Sequence, residues 1–312
     1  MLRFAKLVHH PRKLYRMTGL TLEQFQTLTA RLTPLWEQAE RTRLSQRVRQ
    51  HAIGQGNKYK LATMVEKLLC LLVFYRFYLT DELLGWLVGL EASNVCRLQQ
   101  RLEPLLEQAA DPTLGLSLRR RLPPGAKKIG TWEKLLEVCP EFAEVVTDAT
   151  EQPRRRPPRR TQRRWYSGKR KRHTIKTQLT INRHGRILHV SEAVPGRVHD
   201  YTLFKHTRLA ERLPPKTRLF LDRGYDGAQA DYPARTLSLP VKRRRNHRVL
   251  TRAERAFNRQ QARRRIIVEH VLSRVKKYQV LAQVYRHRIT DYTRRFRNIA
   301  ALTNFRLAPM MA

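Results

Sequence analysis

Near Pro140 the hydrophobic period of this chain changes, and that change limits the folds open to it. Before it, apolar residues recur at helical spacing. Leu20, Phe25, Leu28, Leu32 and Leu35 predict a helix across 20–50, with Thr21 as N-cap ahead of Glu23 and Gln24. A second, mostly apolar helix is expected from Lys60 to Tyr78. After the change, "EFAEVVTDAT" reads as a short buried strand stopping at Asp148. "HTIKTQLTIN" alternates Ile175, Thr177, Leu179 and Ile181 against Thr174, Lys176, Gln178 and Thr180, as a half-buried strand does. "GRILHVSEAV" is a third strand, joined through the Arg183-His184-Gly185 turn. A helix from Asp200 to Arg212, the strands "TRLFLDRG" and "LSLPVK", and a long helix from about Thr251 to Gln279 follow. Hairpin strands followed by alternating helices and strands describe a mixed sheet with helical cover, an α+β or α/β architecture.

Within the helical half, Thr80, Asp81 and Glu82 form a helix start, Gly89 ends that helix, and Ser93 is the expected cap of the next. Two helices joined by a short glycine turn make a helix-turn-helix pattern. Its second helix would present Asn94, Arg97, Gln99, Gln100 and Arg101 to base edges, with Arg97 and Arg101 as the DNA contacts, and Pro104 is expected to limit it. Residues 61–110 carry six acidic and four basic residues, so a plain packing or dimerisation unit explains the same helices.

Charge narrows the partner. Lys and Arg number 64 against 25 Asp and Glu, a net charge of +39, in a chain of 312 residues that is 41% hydrophobic and able to build cores. Such an excess repels itself unless a polyanion offsets it, and phosphate contacts convert it directly into nucleic-acid affinity. Nucleic acid is the expected partner, with a ribosome-associated protein or a solubility bias as the plain readings of the same charge. Pro153 to His173 holds eleven Lys or Arg and no acid; Lys242 to Arg265 holds eleven and one. Lys169, Arg170, Lys171 and Arg172 are the expected contacts within the first run. Cys70, Cys96 and Cys139 have no zinc-ligand spacing and read as buried thiols of a reducing compartment. The longest apolar run, Leu68 to Tyr75, is too short for a bilayer, and the first residues lack the core of a signal peptide. A cytoplasmic protein, nucleoid-associated when bound to DNA, is expected.

Two aspartates then stand out. Asp148 follows "EVVT" and Asp222 follows "LFL", and a charge at the carboxyl end of a buried strand lies at the lip where open sheets bind ligands. Glu269 sits at the edge of the apolar face made by Ile267, Val268, Val271, Leu272 and Val275, and is expected to face the sheet or its rim rather than open water. Three converging carboxylates repel one another but suit hard divalent cations, Mg²⁺ above all, with Mn²⁺ able to substitute. Two such ions can activate an attacking oxygen and stabilise the leaving oxygen of a phosphodiester. Taken singly, each acid also fits an ordinary role, a turn, a cap, or a surface pair of Glu269 with Arg265.

"VVTDAT", "LFLDRGYDG" and "RRIIVEHVLSRVKKY" place Asp, Asp and Glu 74 and 47 residues apart. With them the chain resembles bacterial insertion-sequence transposases of the DDE class, over most of its length. "YSGKRKRHTIKTQ" and "VPGRVHDYTLF" are similar to the segments between the first two acids of that family. Arg265, Glu269 and Lys276 match the R, E and K of the Y-x2-R-x3-E-x6-K signature, where they would flank bound phosphate. Ala262 stands at the tyrosine position. The resemblance implies a ribonuclease H-like catalytic domain over 139–285, after a helical helix-turn-helix region (1–110) and a connection (111–138), with a helical extension over 286–312. It implies Asp148, Asp222 and Glu269 as catalytic and metal-binding residues, double-stranded DNA as the partner, cleavage at terminal inverted repeats, strand transfer into target DNA, and a homo-oligomeric synaptic complex. Asp200 of "VHDYTLF" lies near the cluster in such proteins, although an N-cap accounts for it equally. Another ribonuclease H-like nuclease, of resolvase or repair type, or an inactive DNA-binding derivative are the alternatives.

Overall fold

The computed structural model describes residues 2–46, 60–117, 131–243 and 249–307. Parts of the expected first helix, of the 111–138 connection, of the second basic run and of the C-terminal extension lie outside these residues. The chain forms two compact units, one of residues up to Pro112 with Lys276–Gln283 and the segment from Ala301, the other of Thr113–Val275 with Val284–Ala300.

The first unit is helical. It contains α1 (Phe4–Leu7), α2 (Pro11–Thr18), α3 (Leu22–Ser45), α4 (Met64–Phe77), α5 (Asp81–Val88) and α6 (Ala92–Ala110). Thr21 opens α3 with a reciprocal capping box, its hydroxyl accepting from the Gln24 amide while the Gln24 side chain accepts from the Thr21 amide. Every residue from Leu68 to Tyr75 is buried, so α4 is the central helix of this unit. The apolar run belongs to that role. Among the described residues no helix is long and apolar enough to cross a membrane. Thr80 and Gly89 bound α5 as expected. The cap of α6 is Glu91 rather than Ser93, and the helix continues through Pro104 to Ala110. Pro104 is exposed, so the carbonyl it leaves without an amide donor faces water.

The second unit is a mixed sheet flanked by helices, an α+β arrangement of ribonuclease H type. After α7 (Trp132–Val138), the chain runs through β1 (Glu144–Pro153), α8 (Gln162–Trp165), β2 (Tyr166–Ser167), β3 (Arg172–Asn182), β4 (Ile187–Val190) and β5 (Val194–Pro195). Then come α9 (Asp200–Thr207), α10 (Leu209–Arg212), β6 (Arg218–Phe220), α11 (Ala228–Asp231), β7 (Leu237–Ser238), α12 (Arg252–Val275) and α13 (Tyr292–Leu307). The strand order is β2-β3-β1-β6-β7, with β4 and β5 also paired to β3. β3 is antiparallel to β1, β2, β4 and β5, whereas β1–β6 and β6–β7 are parallel.

Strand periodicity divides the core. Val145, Leu219 and Leu221 pack with Phe204, Leu209 and Tyr225 on one face of the sheet. Their neighbours Val146 and Phe220 line the opposite side with Arg264 and Ile267 of α12, which packs across β1 and β6. Three expectations change in detail. β1 does not stop at Asp148 but continues to Pro153, because β3 supplies antiparallel partners as far as Thr174. The predicted helix over 200–212 breaks at Arg208, which adopts φ 51° between α9 and α10. β3 is buried on both faces from Thr174 to Asn182; of its buried polar groups, the Thr180 hydroxyl shares a hydrogen bond with that of Thr147 at 3.0 Å, while Thr177 Oγ1 and Gln178 Nε2 have no partner among the described residues.

Phe204 is fully buried and meets the rings of Tyr225 and Tyr232 edge-on at 5.6 and 5.9 Å. Phe204→Ala is expected to cost about 3–5 kcal/mol in urea unfolding, a cavity-forming loss beneath the residues that carry the acids.

Candidate active site

The same alternation that sorts the core places the first two acids. Asp148 is two residues beyond Val146 and Asp222 two beyond Phe220, so both continue the α12 side of the sheet. Parallel pairing of β1 with β6 ends at Val146 and Phe220. Beyond that point the two chains diverge, β1 remaining on β3 and β6 turning into a short 3₁₀ segment at Arg223–Tyr225. The carboxylates therefore stand at the fork of two parallel strands.

Arg265 of α12 enters that fork. Its Nη1 donates to Asp222 Oδ1 at 2.8 Å, and its Nη2 lies 4.0 Å from Asp148 Oδ2. Its buried Nε has no hydrogen-bond partner among the described residues. The ordinary alternative for Glu269, a surface pair with Arg265, is absent, because the guanidinium is committed to the aspartates. Glu269 lies one helical turn further along α12, exposed, with no hydrogen bond or ion pair among the described residues.

Asp200 joins from the other direction. It is the first residue of α9, but the N-cap is His199, whose ring nitrogen accepts from the Tyr201 amide at 3.3 Å. That leaves the Asp200 carboxylate free of capping. It accepts from Lys176 Nζ at 2.7 Å, and the same ammonium donates to the Val198 carbonyl at 2.6 Å and lies 3.5 Å from Glu151. Lys176 and Glu151 are cross-strand partners, and both side chains are buried. A Cβ on Gly224 would come within 3.1 Å of Asp200 Oδ2, so the chain after Asp222 passes close against this carboxylate.

Electrostatics confirm that the aspartates share a field. Burial pushes the Asp148 carboxyl up to about 6, opposed by Arg265 and by the Ala149 amide, and reinforced by Asp222 and Asp200. Beneath them lies Tyr225, fully buried, its hydroxyl 3.5 Å from the Gln178 side-chain oxygen. Burial and then the three aspartates hold that phenol well above its ordinary range, so it remains a proton donor.

The donor set consists of carboxylate oxygens, the kind that hard divalent cations prefer. Arginine and lysine already converge on these oxygens, so the site is one that draws positive charge, and its residues fit such ions in kind. Among the described residues, no three Asp, Glu, His or Cys side chains close around one point as they stand.

The remaining expected residues lie elsewhere. Lys169, Arg170, Lys171 and Arg172 are exposed at the β2–β3 turn, and Lys276 is one residue past α12. On α6, Arg97 is exposed and donates to Asn94 at 2.9 Å, while Arg101 lies 3.9 Å from Glu40. Gln99 is buried and donates to Asp81 at 2.9 Å, which removes it from the expected base readers.

A family model for DDE superfamily endonucleases matches residues 147–304, half of the chain, and spans Asp148, Asp200, Asp222, Arg265 and Glu269. A protein of Microchaete diplosiphon described as a probable transposase for insertion sequence element IS702 is 30% identical over 253 residues, 81% of this chain and 84% of that protein. The chain belongs to the DDE-class insertion-sequence transposases. No solved structure matches it. Lys176, Glu151 and Tyr225 were not singled out as site residues of this transposase by their sequence pattern. Lys176 occupies a polar position of an alternating strand, and only the strand register reveals Glu151 opposite it.

Two outcomes test this arrangement. Because the folded Asp148 pKa exceeds its ordinary value, its share of stability is present in acid and is lost as pH rises through about 6. Without metal, Asp148→Asn is therefore expected to be more stable than wild type at neutral pH, by on the order of 2 kcal/mol, with the gap closing near pH ~4. Thermal melts across pH measure it. Lys176→Met leaves two acids without their shared cation and is expected to cost about 3–5 kcal/mol, with part regained in the Lys176→Met/Glu151→Gln double variant.

Proposed function

We propose that this transposase cuts DNA at the ends of its insertion sequence and joins the freed 3′-hydroxyl to target DNA, using magnesium ions held by Asp148, Asp222 and Glu269 with Asp200 beside them. The observation that carries this reading is the convergence of Asp148, Asp222 and Asp200 at the strand fork, held by two basic side chains. A purely structural sheet edge has no need of three mutually repelling acids.

The chemistry that a pair of bound divalent cations supplies at such a site is activation of the attacking oxygen and stabilisation of the leaving one. The chain supplies the rest. Above about pH 6 Asp148 is ionised and able to act as an anionic ligand. Arg265 has a phosphate-matching planar fork beside the acids, and the exposed run Lys169–Arg172 offers charge for DNA backbone. Hydrolysis and transfer by in-line displacement need no covalent protein–DNA intermediate, so no serine or tyrosine is assigned as nucleophile. Assembly of several copies on paired element ends is part of the same proposal.

Purified protein incubated with duplex carrying its own element ends and Mg²⁺ is expected to release a 3′-hydroxyl at those ends. Asp148→Asn and Asp222→Asn are expected to lower cleavage below detection while leaving DNA binding in place. Comparing Glu269→Gln with Asp200→Asn identifies the third working acid. Persistent end cleavage by Asp148→Asn would falsify the assignment. Neutralising Lys169–Arg172 is expected to weaken binding to all duplexes alike and to reduce the salt slope by about 0.9 for each phosphate no longer neutralised.

A further inference from the structure

A groove away from the acids has the lining of a nucleotide site. A cavity of about 630 Å³ is bounded by Arg156, Gln162, Arg163, Tyr166, His173 and Arg197. It adjoins one of about 420 Å³ that shares Arg163 and Arg197 and adds Arg160, Arg164 and Val198. No acidic side chain lines either cavity. Arg163 and Arg197 are exposed and make no hydrogen bond or ion pair among the described residues. Tyr166 is 42% exposed, with its ring set edge-on to His173 at 5.7 Å.

The walls are held in place. Arg154 lies 4.1 Å over the Trp165 ring, fixing the end of α8, and Arg156 donates to Gln162 at 3.1 Å. On the far side, the Gly196 amide donates to the Thr174 carbonyl at 2.9 Å. A Cβ on Gly196 would sit 1.7 Å from Thr174 Oγ1, so the loop bearing Arg197 lies directly against β3. Val198 at the end of this groove accepts from Lys176, which also holds Asp200. Lys176, itself buried, thus ties the end of the groove to Asp200 through the interior. His173 precedes Leu179, the strand partner of Asp148, by six residues of β3, or about 20 Å.

We propose that this groove is a subsite for single-stranded DNA, in which a base stacks on Tyr166 and the adjoining phosphates lie on Arg163 and Arg197. The proposal rests on the transposase reading and specifies the form of DNA that the enzyme holds beside its site. Positive grooves with aromatic platforms are how proteins bind unpaired strands, since every base has a face to stack. A duplex keeps those faces paired inside and would leave Tyr166 without a partner. Arginines alone would suit either form; the exposed ring favours the unpaired one.

The test measures anisotropy of a short labelled oligothymidylate and of a duplex of the same length, both in EDTA. Tyr166→Ala is expected to weaken the oligothymidylate about tenfold and the duplex less than about twofold, with Tyr166→Phe retaining wild-type affinity for both. Arg163→Gln/Arg197→Gln is expected to reduce the single-strand salt slope by about 1.4. Equal losses on both DNAs for Tyr166→Ala, or no loss on either, overturn the proposal. So does an unchanged salt slope in the double variant, which settles the matter if Tyr166→Ala does not fold. Since the assay needs no cleavage, it separates the two readings. A chain that binds through Tyr166 but never cuts element ends overturns only the transposase activity. One that cuts ends and ignores Tyr166 overturns only the subsite.

Discussion

Three aspartates brought together on a protein destabilise it unless positive charge stands among them. Here that charge comes from Arg265, reaching between Asp148 and Asp222, and from Lys176, reaching Asp200. The rest of the catalytic unit is arranged around these two contacts. β1 and β6 part at the level where the aspartates begin, α12 crosses the fork to deliver the guanidinium, and β3 carries the lysine. The raised Asp148 pKa shows that the compensation is partial, with burial outweighing the arginine. A carboxylate left in that condition retains affinity for further positive charge, the property on which the proposed metal binding relies.

The two basic residues do different work. Lys176 is buried, bonded to a backbone carbonyl and two acids, and functions as part of the interior. Arg265 lies at the mouth, with one nitrogen unsatisfied. Breaking the first contact exposes an unpaired charge in the core, whereas rearranging the second changes only what the fork holds.

Much of this was legible in the sequence because it depends on local periodicity. Val146 before Asp148, and Phe220 before Asp222, show that each acid follows an apolar strand, and two-residue alternation sets both on one face. The helix caps Thr21 and Thr80 likewise rest on neighbouring residues. What depended on distant residues was not legible. The extension of β1 to Pro153 comes from β3, 20 or so residues later, which offers partners for a polar segment that would not otherwise read as strand. The Lys176–Glu151–Asp200 cluster needs the strand register and the start of α9. Gln99 looked like a base reader until the packing of α6 against α5 turned it to Asp81. That Glu269 borders the apolar face of α12 follows from its neighbours, but it faces solvent rather than the sheet or its rim, and Arg265 is the residue of that helix that reaches the aspartates.

The fork has a consequence for how the folded molecule meets other chains. Between Val146 and the bridge from Arg154 to Tyr285, β1 has a strand neighbour on one side only among the described residues. An unpaired strand border is a template on which a foreign strand can add, and proteins commonly protect such borders with inward-facing charge. Asp148 stands on that stretch. In this molecule packing closes that border as well, since Thr147, Thr150 and Gln152 around Asp148 are buried, so a neutral replacement of Asp148 leaves the border covered.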